Sequence, residues 1–278
     1  MSRRVERVVE SHVAPVGSFS VRRALPDRER HAVGPWVFLD HFGPHPSRPG
    51  EDGVGAHPHA GIETVTYLLE GRNEHRDSAG HHGVVGAGGA QWMTAGRGVV
   101  HSEHPLATVQ HGIQLWTSLP RAKKMMAPRY QRIDAEAIPA TPRGGATVRV
   151  IAGELDGMRG PAETQMPLFL WHATLPTGAR LDAPAPDGAE AAAYVIDGEG
   201  RFGPDDAVVA RRGELVLWEG DAGGLHAANA GAANLELLIL GGEPAEGPLV
   251  FHGPFVMNSV DQVRAAEIAF RTGRMGSL

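Results

Sequence analysis

Two stretches of this 278-residue chain repeat each other in the same order. Tyr67-Leu-Leu-Glu-Gly71 matches Tyr194-Val-Ile-Asp-Gly198, and Gly89-Ala-Gln-Trp-Met-Thr-Ala-Gly96 parallels Gly213-Glu-Leu-Val-Leu-Trp-Glu-Gly220. His101 then lines up with His226, and the apolar run 113–116 with 235–240. The offset stays at roughly 125 residues, far longer than a solenoid repeat and the size of a duplicated domain. The chain is therefore expected to fold as two similar halves.

The repeated units read as β-structure. Val37–Leu39, Thr64–Leu69, Ile113–Trp116, Val148–Ile151, Leu168–Trp171, Tyr194–Ile196, Leu215–Trp218 and Leu235–Leu240 are short apolar runs separated by Gly, Pro and Asp. With 37 Gly and 21 Pro, the chain has turn residues for many strands and few helices. One helix is expected at the C-terminus: Ser259 and Gln262 form a capping box, Val263, Ala266 and Phe270 repeat at helical spacing, and Gly273 can end it. The Pro/Gly-rich segments 119–128 and 138–145 read as the connection between halves, giving domains 1–133 and 134–278.

Composition narrows the chemistry. There is no cysteine, so disulfides, thiolate ligands and cysteine nucleophiles are excluded, and any metal must rest on His and carboxylates. The net charge of −6 leaves no global basic field for a nucleic-acid backbone, so no direct nucleic-acid binding is expected. The start, Met1 to Glu10, is charged and lacks the apolar core of a signal peptide, and no stretch reaches the length of a spanning helix. The expected location is cytoplasmic, away from the membrane.

Of the 15 histidines, two groups stand apart. His57-Pro-His59 enters a strand, and His101-Ser-Glu103 is a second alternating pair. Residues i and i+2 of a strand face the same side, so the ends of such neighbours can lean onto one ion. Two pairs on facing strands supply four N/O donors, suited to iron, nickel, cobalt, manganese or zinc. The carboxylate is open to two choices. Glu63 shares strand parity with His57 and His59, but Gly61 between them can mark a bulge that reverses everything after it. Glu103 is favoured.

In the second half, Gly188-Ala-Glu-Ala-Ala-Ala193 stands where the first has His57-Pro-His59, and His226 remains alone. That half is expected to be metal-free and structural. His75, His81 and His82 surround the turn Asp77-Ser-Ala-Gly80 and read as a polar hairpin tip, with support of the metal ligands as the second choice. His41 and His252 read as structural. Trp92, Met93 and Trp116 read as core, with one of them a candidate pocket wall. Arg121, Lys123, Lys124, Arg129 and Arg132 read as a solvated basic linker.

These residues resemble a known family. His57-x-His59-x3-Glu63 followed by Gly98-x2-His101 is similar to the paired signature of the cupin barrel, with Gly96 where that signature has Pro. The segments 57–71, Gln91-Trp-Met-Thr-Ala-Gly-Arg-Gly-Val-Val-His-Ser-Glu103, Leu39-Asp-His-Phe-Gly43 and His252-Gly-Pro-Phe-Val-Met-Asn258 resemble the pirin family of two-cupin proteins more closely. The resemblance implies an all-β fold of two tandem cupin (jelly-roll) β-barrels facing each other, with a short C-terminal helix and termini that cross between barrels. It implies one iron(II) in the N-terminal barrel on His57, His59, His101 and Glu103, whereas the general cupin signature selects Glu63.

The same resemblance implies a quercetin 2,3-dioxygenase type of activity. A flavonol or related small aromatic substrate and dioxygen are the expected partners, and Glu103 takes the substrate's hydroxyl proton. The alternative is a non-enzymatic, iron-dependent, redox-responsive regulator that binds a protein partner. A metal-free structural protein is disfavoured by the intact ligand set.

Overall fold

The computed structural model describes residues 2–17, 19–50, 53–220 and 222–278. Every apolar run named above lies in a strand. The strands of the first half are β1 (Val5–Glu10), β2 (His12–Val16), β3 (Phe19–Leu25), β4 (Trp36–Pro46), β5 (Val54–His59), β6 (Ile62–Glu70), β7 (Arg72–Asp77), β8 (His82–Gly86), β9 (Ala90–Thr94), β10 (Val99–Pro105), β11 (Val109–Ser118) and β12 (Arg129–Ile133). Those of the second are β13 (Ala140–Arg143), β14 (Ala146–Ala152), β15 (Glu154–Leu155), β16 (Met158–Arg159), β17 (Leu168–Leu175), β18 (Arg180–Ala183), β19 (Glu190–Asp197), β20 (Glu199–Phe202), β21 (Val208–Arg211), β22 (Glu214–Trp218), β23 (Leu225–Asn229), β24 (Leu235–Gly242), β25 (Val250–His252) and β26 (Phe255–Met257).

Strand order makes the duplication explicit. In the first barrel a seven-stranded sheet runs β12-β9-β6-β11-β4-β3-β2 beside a four-stranded sheet β5-β10-β7-β8. The second has β1-β22-β19-β24-β17-β14-β13 beside β18-β23-β20-β21. Each strand of one barrel thus has a counterpart in the other. Both are antiparallel two-sheet barrels of the jelly-roll kind.

The compact units do not divide at a single point of the chain. One comprises 1–12, 22–36 and 137–244, the other 13–21, 37–136 and 245–278. Accordingly β1 pairs with β22, Val8 opposite Val216, and the bridge Ala60–Phe255 ties the C-terminal segment to the first barrel. Part of the expected linker is also ordered sheet, because β13, inside the segment 138–145, pairs with β14.

The helix α1 (Val260–Arg271) starts as expected, with the Ser259 side chain accepting the Gln262 N–H. Val263 and Ala266 are buried, but Phe270 is 41% exposed, so the apolar face is shorter than its spacing suggested. Gly273, at φ 72°, ends the helix. Among the described residues no helix is long and apolar enough to cross a membrane.

The interiors differ. In the second barrel Trp171, Leu181, Ala193, Val195, Phe202, Val216, Leu237 and Ile239 form one apolar cluster joining both sheets. In the first, polar side chains are buried among apolar ones: Thr66, His75, Asp77, Gln91 and His101 are each at most 4% exposed. Burying so many polar groups is costly unless each finds a partner, and here they find one another.

Candidate metal centre

The break at Gly61 decides where the flanking residues point. Gly61 has φ 78°, a conformation that favours glycine, and a β-carbon there would collide with the Val256 carbonyl. β5 ends at His59 in the four-stranded sheet and β6 begins at Ile62 in the seven-stranded one. Parity therefore does not carry from His59 to Glu63, because the chain changes sheets at the corner between them.

β10 lies beside β5 with His101 opposite His57 and Val99 opposite His59. This register brings three imidazoles together. One ring nitrogen each from His57, His59 and His101 lies within 4.8 Å of the others, the only such group of metal-type donors among the described residues. The ring centroids are 4.3 to 5.0 Å apart. His59 and His101 are 2% and 1% exposed, while His57 is reached by solvent.

The hydrogen bonds orient the rings. His57 Nδ1 donates to the Gly55 carbonyl at 2.7 Å and His59 Nδ1 to the Pro254 carbonyl at 3.1 Å, so both Nε2 atoms carry lone pairs. His57 Nε2 and His101 Nε2 are 2.9 Å apart. Two nitrogens each about 2.1 Å from one ion, at right angles, lie about 3.0 Å apart. Burial, with the neighbouring His57 imidazole adding to the effect, holds the His59 pKa down at about 3. Burial likewise holds His101 well below its ordinary value, with the neighbouring histidines adding to the effect. His59 and His101 are thus buried and neutral, and neutral imidazoles that converge are what a divalent ion requires of its ligands. The donors present fit a first-row metal.

The two carboxylates sit differently. A register shift between His101 and Glu103 breaks the β5–β10 ladder, and Glu103 lies outside the converging group. Its Oε1 accepts from Thr66 Oγ1 at 2.6 Å, from Asn73 Nδ2 at 3.3 Å and from Gln91 Nε2, while Oε2 accepts no bond from the described residues. Glu63 is 1% exposed and also outside the group. Thr94 donates to its Oε1 at 2.7 Å and Thr117 to its Oε2 at 3.4 Å.

The cradle of Glu103 has no counterpart in the second barrel. Thr66 pairs with Gln91 and Gln114 on the flanking strands; with Tyr67 aligned on Tyr194, the corresponding positions are Ala193, Val216 and Ile239. Thr66 Oγ1 also lies 2.6 Å from the Gln114 side-chain amide, and Gln91 donates to Thr66 at 3.3 Å. This trio lies outside the candidate residues that the sequence pattern singles out. Its signal was Thr66, Gln91 and Gln114 standing where the aligned strands of the second half carry the apolar Ala193, Val216 and Ile239.

Other expectations need correction. The second-half counterpart of the His57 strand is β18, not 188–193, and Asp182 stands opposite His226. His75 is not at the hairpin tip but 1% exposed in β7, its Nδ1 3.5 Å from His101 Nδ1. Lys124 is no solvated linker residue. It is fully buried, its ammonium donating to the Gly61 carbonyl, Ser118 Oγ and the Val256 carbonyl, all at 2.8 Å. Burial lowers its pKa to about 7, against the pull of Glu246. Trp92 and Met93 are buried; the aromatic beside the imidazoles is Trp116, edge-on to His59 at 4.8 Å and stacked on Phe38 at 4.0 Å.

Comparison with known proteins agrees with this geometry. Residues 18–117 match the pirin family model, and 170–276 match that of the pirin C-terminal cupin domain. The chain is 40% identical to mouse pirin over 260 residues, covering 92% of this chain and 88% of the relative. The chain belongs to the pirin family. A pirin-like protein of tomato is 38% identical over 258 residues, covering 92% of this chain and 87% of the relative. Among solved structures, a quercetin 2,3-dioxygenase from Acinetobacter baumannii superposes with a TM-score of 0.92 and 32% identity, covering 100% of this chain and 99% of that one. Pirin-family membership thus accounts for both barrels, cupin in architecture.

Proposed function

We propose that this pirin-family chain is a metal-dependent dioxygenase of the quercetin 2,3-dioxygenase type, opening the ring of a flavonol or related small aromatic. The observation that carries the reading is the converging group of His57, His59 and His101 in a chain similar over its full length to a solved quercetin 2,3-dioxygenase. These histidines would hold one divalent ion, iron(II) first, with nickel, cobalt, manganese or zinc also suited to such donors. When bound, such an ion supplies Lewis acidity and, if redox-active, electron transfer with dioxygen.

The protein's own groups do the rest. Glu103 is the proposed fourth ligand and proton acceptor. Its Oε1 is fixed by Thr66, Asn73 and Gln91, which leaves Oε2 to take the proton of a substrate hydroxyl. Trp116 and Phe38 offer a flat apolar wall beside His59 against which an aromatic ring can lie. The second barrel, with its apolar interior, is proposed to be metal-free and structural. The overall reaction joins one dioxygen to one flavonol and releases carbon monoxide from the opened ring.

Oxygen uptake and loss of flavonol absorbance, measured with iron-loaded wild type and His101→Ala side by side, test the reading. Wild type should consume flavonol and dioxygen in equal amounts, and the variant should not. Equal rates for both, or no rate above free metal, would reject it. Metal binding without turnover, with partner binding that follows the metal's oxidation state, would favour the regulator instead.

A further inference from the structure

The three clustered imidazoles are not held alike. Backbone carbonyls of Gly55 and Pro254 orient His57 and His59. His101 has no such carbonyl among the described residues; its Nδ1 faces the Nδ1 of His75 at 3.5 Å. His75 in turn places Nε2 3.1 Å from Asp77 Oδ2. Asp77 also receives the backbone N–H groups of Ala79 and His81 on Oδ1, each at 3.0 Å, and His81 Nδ1 on Oδ2 at 2.9 Å.

We infer that His75 and Asp77 are positioning residues that fix His101 with its Nε2 lone pair turned to the metal position. This rests on the metal reading above. A carboxylate crowded by N–H donors acts as acceptor only, so His75 Nε2 must carry the proton. Its Nδ1 then bears a lone pair and can only accept, which makes His101 Nδ1 the donor. His101 Nε2 is left unprotonated, facing His57 Nε2 across 2.9 Å.

The holder is itself held. The ring of His75 stacks on Tyr130 with centroids 4.4 Å apart and planes 15° apart, and its side chain is 1% exposed. The line Asp77–His75–His101 does for this ligand what carbonyls do for the other two. Outer partners of this kind orient a ligating histidine and raise its basicity.

The test compares wild type, His75→Phe, His75→Gln and Asp77→Asn, with exposed His82→Ala as control. Nickel(II) affinity is read by chelator competition, and the His101 Nδ1–H resonance by NMR of the zinc(II)-loaded protein. Phenylalanine keeps the stack on Tyr130 but cannot accept a proton, so His75→Phe should bind nickel about tenfold or more weakly and lose the hydrogen-bonded resonance. The amide oxygen of His75→Gln can accept, and should restore part of both. Asp77→Asn keeps an acceptor for the turn and should show a smaller loss; it serves if the His75 variants fold poorly. Thermal midpoints of the metal-free variants should stay near wild type. Wild-type affinity and an unchanged resonance in His75→Phe would overturn the positioning role alone. A wild type that binds neither nickel nor zinc would overturn the metal reading and this role together.

Discussion

Asp182 stands opposite His226 in the second barrel at the register position that His57 holds opposite His101 in the first. One imidazole of the original pair has a carboxylate for its neighbour. His226 Nδ1 lies 2.6 Å from Asp182 Oδ1 and its Nε2 2.8 Å from Asp206 Oδ1, so both ring nitrogens meet an anion at opposite ends of the ring. That arrangement suits an imidazolium rather than a metal ligand. Two residues on from Asp182 stands Pro184, where the first barrel has His59, and proline has no donor to offer an ion. A proton on His226 supplies the positive charge locally.

A pH dependence follows from that arrangement. Burial works against the charge on His226, but hydrogen bonds and charges of Asp182 and Asp206 outweigh it, and its pKa rises above the ordinary 6.5. The stabilisation is therefore complete below the unfolded value and is lost as pH rises through the folded one. Wild type should exceed His226→Gln in stability by about 1 kcal/mol in mild acid, the scale of a partly screened pair, and the gap should close toward alkaline pH. Urea unfolding across that range measures it; a gap that widens with pH would contradict the assignment.

Exchanging the two acids separates their roles. Glu103→Gln should lower flavonol turnover by about 10²–10⁴, the usual contribution of a positioned base, and weaken metal binding. Glu63 has both oxygens engaged by threonines, so Glu63→Gln should leave metal content intact and lower stability by about 1 kcal/mol. Metal analysis and unfolding curves of the two variants check this. The reverse pattern would show that the general cupin signature governs the fourth ligand.

Lys124 staples the Gly61 corner to the C-terminal segment through Val256. Lys124→Met should leave three buried acceptors without that donor and destabilise the protein by about 2 kcal/mol, even after the cost of burying the ammonium is removed. Denaturant unfolding reads the loss. Unchanged stability would mean that the buried charge costs as much as its bonds return.

The sequence made some features legible and hid others, for physical reasons. The strands and the duplication were readable because short apolar runs and turn residues act locally, and Ser259 and Gln262 mark the helix start by local bonding. The His57–His59 and His101 group was readable because alternation within one strand survives any tertiary arrangement. Glu63 was ambiguous because the chain changes sheets at Gly61, which parity cannot register. His75, Lys124 and the Thr66–Gln91–Gln114 trio were misread or missed because their partners lie far away in sequence. His75 depends on a β7–β10 pairing, Lys124 on a carbonyl at residue 256, and the trio on three neighbouring strands. Asp182 was hidden by aligning composition where strand register was needed.

Elemental analysis of protein purified without chelator, for wild type and the double variant His57→Ala/His59→Ala, tests the metal centre most directly. About one first-row metal ion is expected per wild-type chain and none in the variant, whose circular dichroism should stay native because the antiparallel sheets of both barrels form without the ion. Metal retained by the folded double variant, or a second ion that disappears with His226→Ala, would contradict it.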